Sequence, residues 1–228
     1  MNAVYKVKEQ AAFLAGLDPD VVALQEVERY TGWGNEDQAV VFKRALEAAT
    51  GFTWYTHFSN HSGSTGTGQQ GNLILSRFPF THTDQKSLPY TRALTIAKMN
   101  VNGRSLLFFN VHLSPYSSKA NERVTQLAEV SYYLTVYGSY DRFILGDFNA
   151  GEGVAELDPM RHWYRDQWTT ASAVGKAFGT SATRPSGSRI DYIFFGKYLR
   201  SWLALQSADV FETALSDHYA LVVEYTVS

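Results

Sequence analysis

The chain has no cysteine. That excludes disulfides, thiolate metal sites and a cysteine nucleophile, and leaves the compartment open. Charge is also sparse: charged residues are 18% of 228, with a formal net charge of -2. A protein that grips long nucleic acid by its phosphates usually carries a basic excess. Nucleic acid therefore stays open as a partner without being indicated by charge. No apolar run reaches membrane-span length, and MNAVYKVKEQ lacks the apolar core and cleavage site of a secretory signal. The expectation is a soluble chain without a membrane span, cytoplasmic or exported after signal removal, of unknown oligomeric state. There is no Gly-x-Ser-x-Gly elbow to mark an activated serine. The glycines at 63–71 lack the Gly-Lys-Ser/Thr ending of a Walker loop.

What is present suits a large core: 45% of residues are hydrophobic and 14% aromatic. No linker, repeat or charge block divides the chain, so a single domain over 1–228 is expected. Apolar spacing predicts helices over 4–16, 36–50 and 119–137. Strands are expected at VVALQEV, NLILS, ALTIAKMNV, SLLFFNVHL, DRFILGDFNA, RIDYIFF and SDHYALVVEYTV, with Asn102-Gly103 as a hairpin turn. SNHSGSTGTGQQG (59–71) reads as a polar loop that packs no core. Strands with helices between them predict an α/β layered domain.

Polar residues recur at the ends of these apolar strands: Glu26, His112, Asp147 with Asn149, Asp191, and Asp217 with His218. A carboxylate in an apolar run costs several kcal/mol unless paired or metal-bound. Each residue has an ordinary structural use. Glu26 can pair with Arg29, and Asp191 with Arg189 or Arg184. Asp147 and Asn149 can form an Asx turn, and His112 can be a satisfied core histidine. Together they point to one shared mouth. Oxygen donors of this kind suit a hard cation, Mg²⁺ with Mn²⁺ or Ca²⁺ as alternatives. Beside His and Asp, such a cation serves phosphate-ester hydrolysis.

Leu24-Gln25-Glu26-Val27, Gly71-Asn72-Leu73-Ile74-Leu75-Ser76, Asn110-Val111-His112-Leu113, Gly146-Asp147-Phe148-Asn149, Arg189-Ile190-Asp191-Tyr192 and Ser216-Asp217-His218 occur in that order. The sequence resembles the endonuclease/exonuclease/phosphatase superfamily, with the deoxyribonuclease-I-like fold, over about residues 17–225. The resemblance implies a four-layer sandwich: two mixed β-sheets packed face to face, with helices on the outer faces. It implies metal-dependent cleavage of phosphoesters, with Glu26 and Asp217 at the metal and Asp147 activating water. Asn149 would hold water or a phosphate oxygen. His218 would contact the scissile phosphate, supported by Asp191, and His112 would stabilise the pentacovalent phosphorus or assist the leaving group. Asn72 would face the same mouth as a substrate contact. Arg92 and Arg123 can touch phosphate or pair on the surface. Trp163, Tyr164 and Trp168 can rim the mouth or serve as core anchors.

The family also implies a strand with a Thr-x-Asn-like motif ahead of the first helix. Asn2 follows no apolar strand and does not take that role. Either residues ahead of Met1 supply that strand, or the protein lacks it; if it is lacking, the two neighbouring strands lose ladder partners and an apolar slot opens. Weaker metal binding, or strand exchange with another chain, would follow. The expected activity is that of a phosphodiesterase or phosphatase, with a small-molecule or lipid-headgroup phosphoester ranked above DNA. The short stretch from Asn149 to Asp191 leaves little room for a DNA-gripping arm. A weakly active scaffold that binds a phosphorylated ligand or partner, and a Mg²⁺-dependent DNA endonuclease, are the alternatives.

Overall fold

A computed structural model of the chain describes residues 5–64, 67–138, 141–196 and 200–228. Val4 of the expected first helix, and Thr65 and Gly66 of the expected loop, lie outside them. The elements in chain order are α1 (Val7–Gly16), β1 (Val21–Arg29), α2 (Gln38–Thr50), β2 (Tyr55–Ser64), β3 (Gly68–Ser76), β4 (Phe80–Leu88), β5 (Arg92–Val101) and β6 (Arg104–His112). There follow α3 (Ala120–Val136), β7 (Asp141–Asp147), α4 (Asp158–Trp163), β8 (Tyr164–Asp166), α5 (Gln167–Ser172), β9 (Ala177–Phe178), β10 (Asp191–Gly196), β11 (Leu203–Phe211) and β12 (Ala220–Val227).

Local chemistry sets several boundaries. Asp37 caps α2 by accepting from the Ala39 and Val40 N–H groups, and Gly51 ends it in the left-handed region. Asn102 and Gly103 both take positive φ, the conformation a tight hairpin needs between β5 and β6.

A six-stranded mixed sheet runs β4-β5-β6-β7-β10-β8, with β6 and β7 parallel. Its side chains alternate between two cores. Leu107, Phe109, Ile144 and Phe194 pack against Leu127 and Val130 of α3. Leu106, Phe108, Phe143 and Phe195 face the second sheet layer, where Ile74 and Leu203 meet them. Beyond that layer, Ala11 of α1 and Phe42 and Leu46 of α2 pack on Leu73 and Leu75. The result is helix, sheet, sheet, helix. Trp168 of α5 anchors a smaller cluster with Ala208 and Val210 of β11.

The second sheet layer is divided. One piece is β1-β3-β2 and the other is β12-β11-β9. The second sheet layer is thus two three-stranded sheets with the expected apolar slot between them. Among the described residues no strand lies between β1 and β12, so each presents an unpaired edge. The space between them is a slot of about 1740 Å³ lined by both edges, by Phe13 and Leu14 of α1, and by Phe108, Phe143 and Leu145 of the facing sheet. A single hydrogen bond, Gln10 Nε2 to the Leu215 carbonyl at 2.9 Å, ties α1 to the segment before β12.

The stretch 59–71 differs from the expected loop. Apart from its two undescribed residues and Thr67, it is paired strand, with Ser59 opposite Asn72 and Asn60 opposite Gly71. Polar composition suggested a loop, but Ser59 and Asn72 are fully buried between strands. Gly71 permits the close pairing: a Cβ there would stand 2.0 Å from the Ser59 carbonyl oxygen.

Candidate active site

Three neighbouring strands end together. His112 on β6, Asp147 on β7 and Asp191 on β10 are register partners across the ladder. All three continue the strand faces that carry Phe108, Phe143 and Phe195 toward the second sheet. The site is therefore the polar end of the inter-sheet core.

Gly146 makes this possible. Its φ is +129°, and a Cβ would lie 2.1 Å from the Val111 carbonyl oxygen and 2.9 Å from Asn110 Oδ1. Phe148, fully buried against Tyr192 and Phe194, then pins the chain, and its N–H bonds the Ile190 carbonyl at 2.9 Å. Asn149 turns back at φ +49°. Its N–H reaches Asp147 Oδ1 at 2.7 Å, and its Nδ2 reaches Asp147 Oδ2 and the Leu113 carbonyl, each at 3.0 Å. The Asx turn and the site coincide: one loop holds the carboxylate and leaves Asn149 Oδ1 outside these bonds.

His218 Nδ1 donates to Asp191 at 2.9 Å, which leaves Nε2 3.9 Å from Asp147 Oδ2. His112 Nε2 lies 3.6 Å from the same oxygen. Asp191 does not pair with either nearby arginine. Arg189 binds Asp166 and Glu152, and Arg184 reaches Asp217 at 3.4 Å. Arg29, the simple partner for Glu26, is held by Asp37.

Burial, reinforced by the Asp191 charge, pushes Asp147 up to about 7, against the pull of His218, the Asn149 N–H and Arg184. For His218 burial acts downward, but the hydrogen bond and charge of Asp191, with Asp147 and Asp217, outweigh it and the net shift is upward. Burial, with Arg92, His61 and His218, lowers His112 to about 3. Its Nδ1 is buried without a partner, so it is no satisfied core histidine.

Oxygens of Asp147 and Asp191 and a ring nitrogen of His218 lie within 4.8 Å of one another, a group that could hold a metal ion. A divalent cation fits this donor set. It would relieve the uncompensated buried charge that lifts Asp147. Glu26 and Asp217 stand apart from this group. Glu26 sits exposed at φ +56° on a bulge of β1. Asp217 is exposed beside Arg184.

Other expected residues fall elsewhere. Asn72 has no exposed surface, and its Nδ2 bonds the Ala93 carbonyl at 2.9 Å, so it braces strands rather than reaching the mouth. Arg123 is buried against Glu156 and the Ser114 and Tyr116 carbonyls. Arg92 is half-buried, and the charges nearest to it are Glu26, Asp147 and Glu122. Trp168 is core, Tyr164 packs on the α3 side, and Trp163 is exposed; none lines the two cavities described here.

The sequence reading missed two participants. His61 of β2 sets its ring edge-on to His112 at 6.4 Å, with both nitrogens buried and unpartnered. Burial, with Arg92, lowers it to about 4. Thr183, fully buried, accepts from the Ile190 and Asp191 N–H groups at 3.1 and 3.2 Å through its hydroxyl. Its carbonyl takes the Tyr219 N–H at 2.8 Å. One residue thus ties the Asp191 strand to the His218 segment. His61 was hidden in the misread loop, and Thr183 sits in a stretch with no periodicity to mark it.

The chain is thus a layered α/β sandwich with two carboxylates and histidines gathered at one end of its sheets. A family model described as "Endonuclease/Exonuclease/phosphatase family" matches residues 3–218, and the chain belongs to that family. It is similar to a family protein from Leptotrichia buccalis (TM-score 0.77, 20% identity, 96% of this chain and 92% of that one). The human Nocturnin catalytic domain with bound sulfate matches with TM-score 0.74 and 19% identity, over 96% of this chain and 87% of that one. A Bacteroides thetaiotaomicron mannosyl-6-phosphatase matches with TM-score 0.69 and 16% identity, over 97% and 90%. Likeness at these identities concerns the fold. A search of curated proteins finds no match. No helix among the described residues is long and apolar enough to cross a membrane.

Proposed function

We propose that the chain is a divalent-metal-dependent phosphoester hydrolase, a phosphodiesterase or phosphatase, and that Asp147 activates the attacking water. The observation that carries this is the in-register set His112, Asp147 and Asp191 with His218 closing over it. Asp147, raised to about 7, is poised to take a proton near neutral pH. As the water oxygen bonds to phosphorus, its proton passes to Asp147 and the ester oxygen departs. His218, held by Asp191 through Nδ1, presents Nε2–H to a phosphoryl oxygen on which charge develops. His112 stands on the other side of Asp147 Oδ2, beside the crowded phosphorus or the leaving oxygen. Asn149 orients the carboxylate and offers Oδ1 to water or to a phosphate proton.

Glu26 and Asp217 at the rim would hold the cation, Mg²⁺ or Mn²⁺ with Ca²⁺ as an alternative, leaving Asp147 free to take the proton. When bound it neutralises phosphate charge as a Lewis acid. Phosphatase and nuclease both occur in the family name, and a structural neighbour is a mannosyl-6-phosphatase. With net charge -2, a small-molecule or lipid-headgroup phosphoester is favoured over DNA. The test is hydrolysis of a panel (bis-p-nitrophenyl phosphate, monoesters, supercoiled plasmid) with and without EDTA. Plasmid nicking that exceeds small-ester turnover and weakens with salt would move the reading to an endonuclease. EDTA-resistant turnover would sink it.

One observation favours a second reading, a fold that binds a partner chain: the slot between the unpaired edges of β1 and β12. Its apolar floor suits an extended segment with alternate apolar side chains, laddered on both sides. Thermal denaturation with such a strand peptide tests it. A raised midpoint is the expected result, and no shift at saturating peptide counts against strand pairing.

A further inference from the structure

Asn149 also lines a second depression, about 330 Å³, which shares no residue with the slot. Its walls are apolar, with Val154 and Ile190 among them, and its base is the Arg123–Glu156 ion pair, closed at 2.7 Å. That arginine is spent: it also bonds the Ser114 and Tyr116 carbonyls at 3.0 and 2.7 Å. The groups left to a ligand are on the rim. Arg184 has a buried Nε without a partner and only a 3.4 Å contact to an exposed Asp217. Ser117 and Ser188 also line the depression, the Ser188 hydroxyl sharing a 2.9 Å hydrogen bond with Ser186.

Tyr116 stands at the edge, 74% exposed as a residue, at φ +68° and ψ +141°. That backbone region is glycine's, and a tyrosine there is strained. Arg123 and the Lys119 N–H hold its carbonyl in place. This strained backbone sets an exposed tyrosine at the edge of a pocket that shares Asn149 with the reaction centre.

We propose that this depression is the subsite for the organic half of the substrate, and that it takes one hydroxylated ring of the furanose or pyranose kind, bearing the phosphate. The volume is at the small end of ligand pockets, enough for a single ring and little more. Such a ring offers a C–H face to Tyr116 and the apolar walls, and hydroxyls to Arg184 and the serines. A phosphate on its exocyclic carbon reaches Asn149 and then Asp147. A duplex presents its phosphates on a convex rod, and its furanose rings, tied to bases and to backbone on both sides, do not enter a single-ring pocket. The inference rests on Asp147, Asp191 and His218 being the phosphoester centre.

Calorimetry in the presence of Mg²⁺, on an Asp147→Asn background that cannot activate water, tests it without turnover. The ligands are glucose 6-phosphate, ribose 5-phosphate, glycerol 3-phosphate and inorganic phosphate. A ring phosphate is expected to bind about tenfold more tightly than glycerol 3-phosphate. Tyr116→Ala is expected to bring that ratio toward one, and Tyr116→Phe to keep it. Gly151→Leu reduces space in the same pocket without straining the fold, because a Cβ there meets no atom within 4 Å. It too is expected to reduce the ratio. Equal binding of ring and glycerol phosphates, or a ratio untouched by Tyr116→Ala and Gly151→Leu, overturns the ring subsite. Hydrolysis of simple esters with a ratio of one counts against the subsite alone. An intact ratio without hydrolysis counts against the hydrolase reading alone.

Discussion

Thr183 is the residue on which the Asp191–His218 pair depends most, and replacing it with valine isolates why. Valine matches threonine in shape, so no cavity opens, but the acceptor for the Ile190 and Asp191 N–H groups disappears. A backbone N–H left unsatisfied in a buried setting costs about 1–3 kcal/mol. With two affected and partial relaxation, Thr183→Val should lose about 2–4 kcal/mol of stability. At a urea dependence of about 3 kcal/mol/M, the midpoint falls by about 1 M. Thr183→Ser keeps the oxygen and loses only a methyl group, a cost of about 1 kcal/mol. Activity should separate the two more sharply. A shift of about 1 Å in the Asp191–His218 pair reduces turnover on the order of a hundredfold, so valine should be nearly inactive and serine near the parent. Urea titration and ester hydrolysis on the same preparations give both numbers. Valine as stable as the parent, or serine as damaging as valine, would refute this account of Thr183.

Stability should peak near pH 6.5. Below that pH the unfolded chain protonates His61 and His112, while the folded chain does not until about 4 and 3, so acid costs stability. Asp147 acts the other way, folded near 7 and unfolded near 3.8, but one group against two leaves stability rising with pH up to 6.5. Above 6.5, Asp147 and His218, both raised, hold protons that the unfolded chain has lost, so stability falls as pH rises through their folded values. Thermal scans of the parent and Asp147→Asn check this, the variant being expected to lose much of the decline above 6.5. An unchanged profile would show that Asp147 is not held protonated. Gly146→Ala, which forces a Cβ to 2.1 Å from the Val111 carbonyl, should destabilise by roughly 3 kcal/mol or more. A normal unfolding curve for that variant would contradict the packing described around the β7 end.

Much of the site was legible because it sits where strong local signals end. Phe143-Ile144-Leu145 is an apolar run whose alternation places Asp147 on the inter-sheet face, and Asn102-Gly103 fixes the β5–β6 hairpin that carries His112. Helix α3 followed from its apolar spacing. The polar strand β2 and the edge strand β4 were not legible, because FTHTDQKSL and HSGS hold their place by ladder pairing rather than by apolar faces. Asn72 lies in the stretch 71–76 that matches a motif, but tertiary packing closes over it, with its Nδ2 on the Ala93 carbonyl and its Oδ1 buried without a partner. The divided second sheet followed from the expectation of a missing strand, whereas the depression under Tyr116 depends on a backbone conformation that no sequence pattern announces.

The central claim is that Asp147 and His218 drive metal-dependent phosphoester cleavage. The most direct measurement is hydrolysis of bis-p-nitrophenyl phosphate with Mg²⁺ or Mn²⁺ by the parent, Asp147→Ala and His218→Ala. Turnover that requires the metal and falls by about a hundredfold or more in each variant is the predicted result. Parent-like turnover in either variant, or turnover indifferent to the metal, would contradict the account.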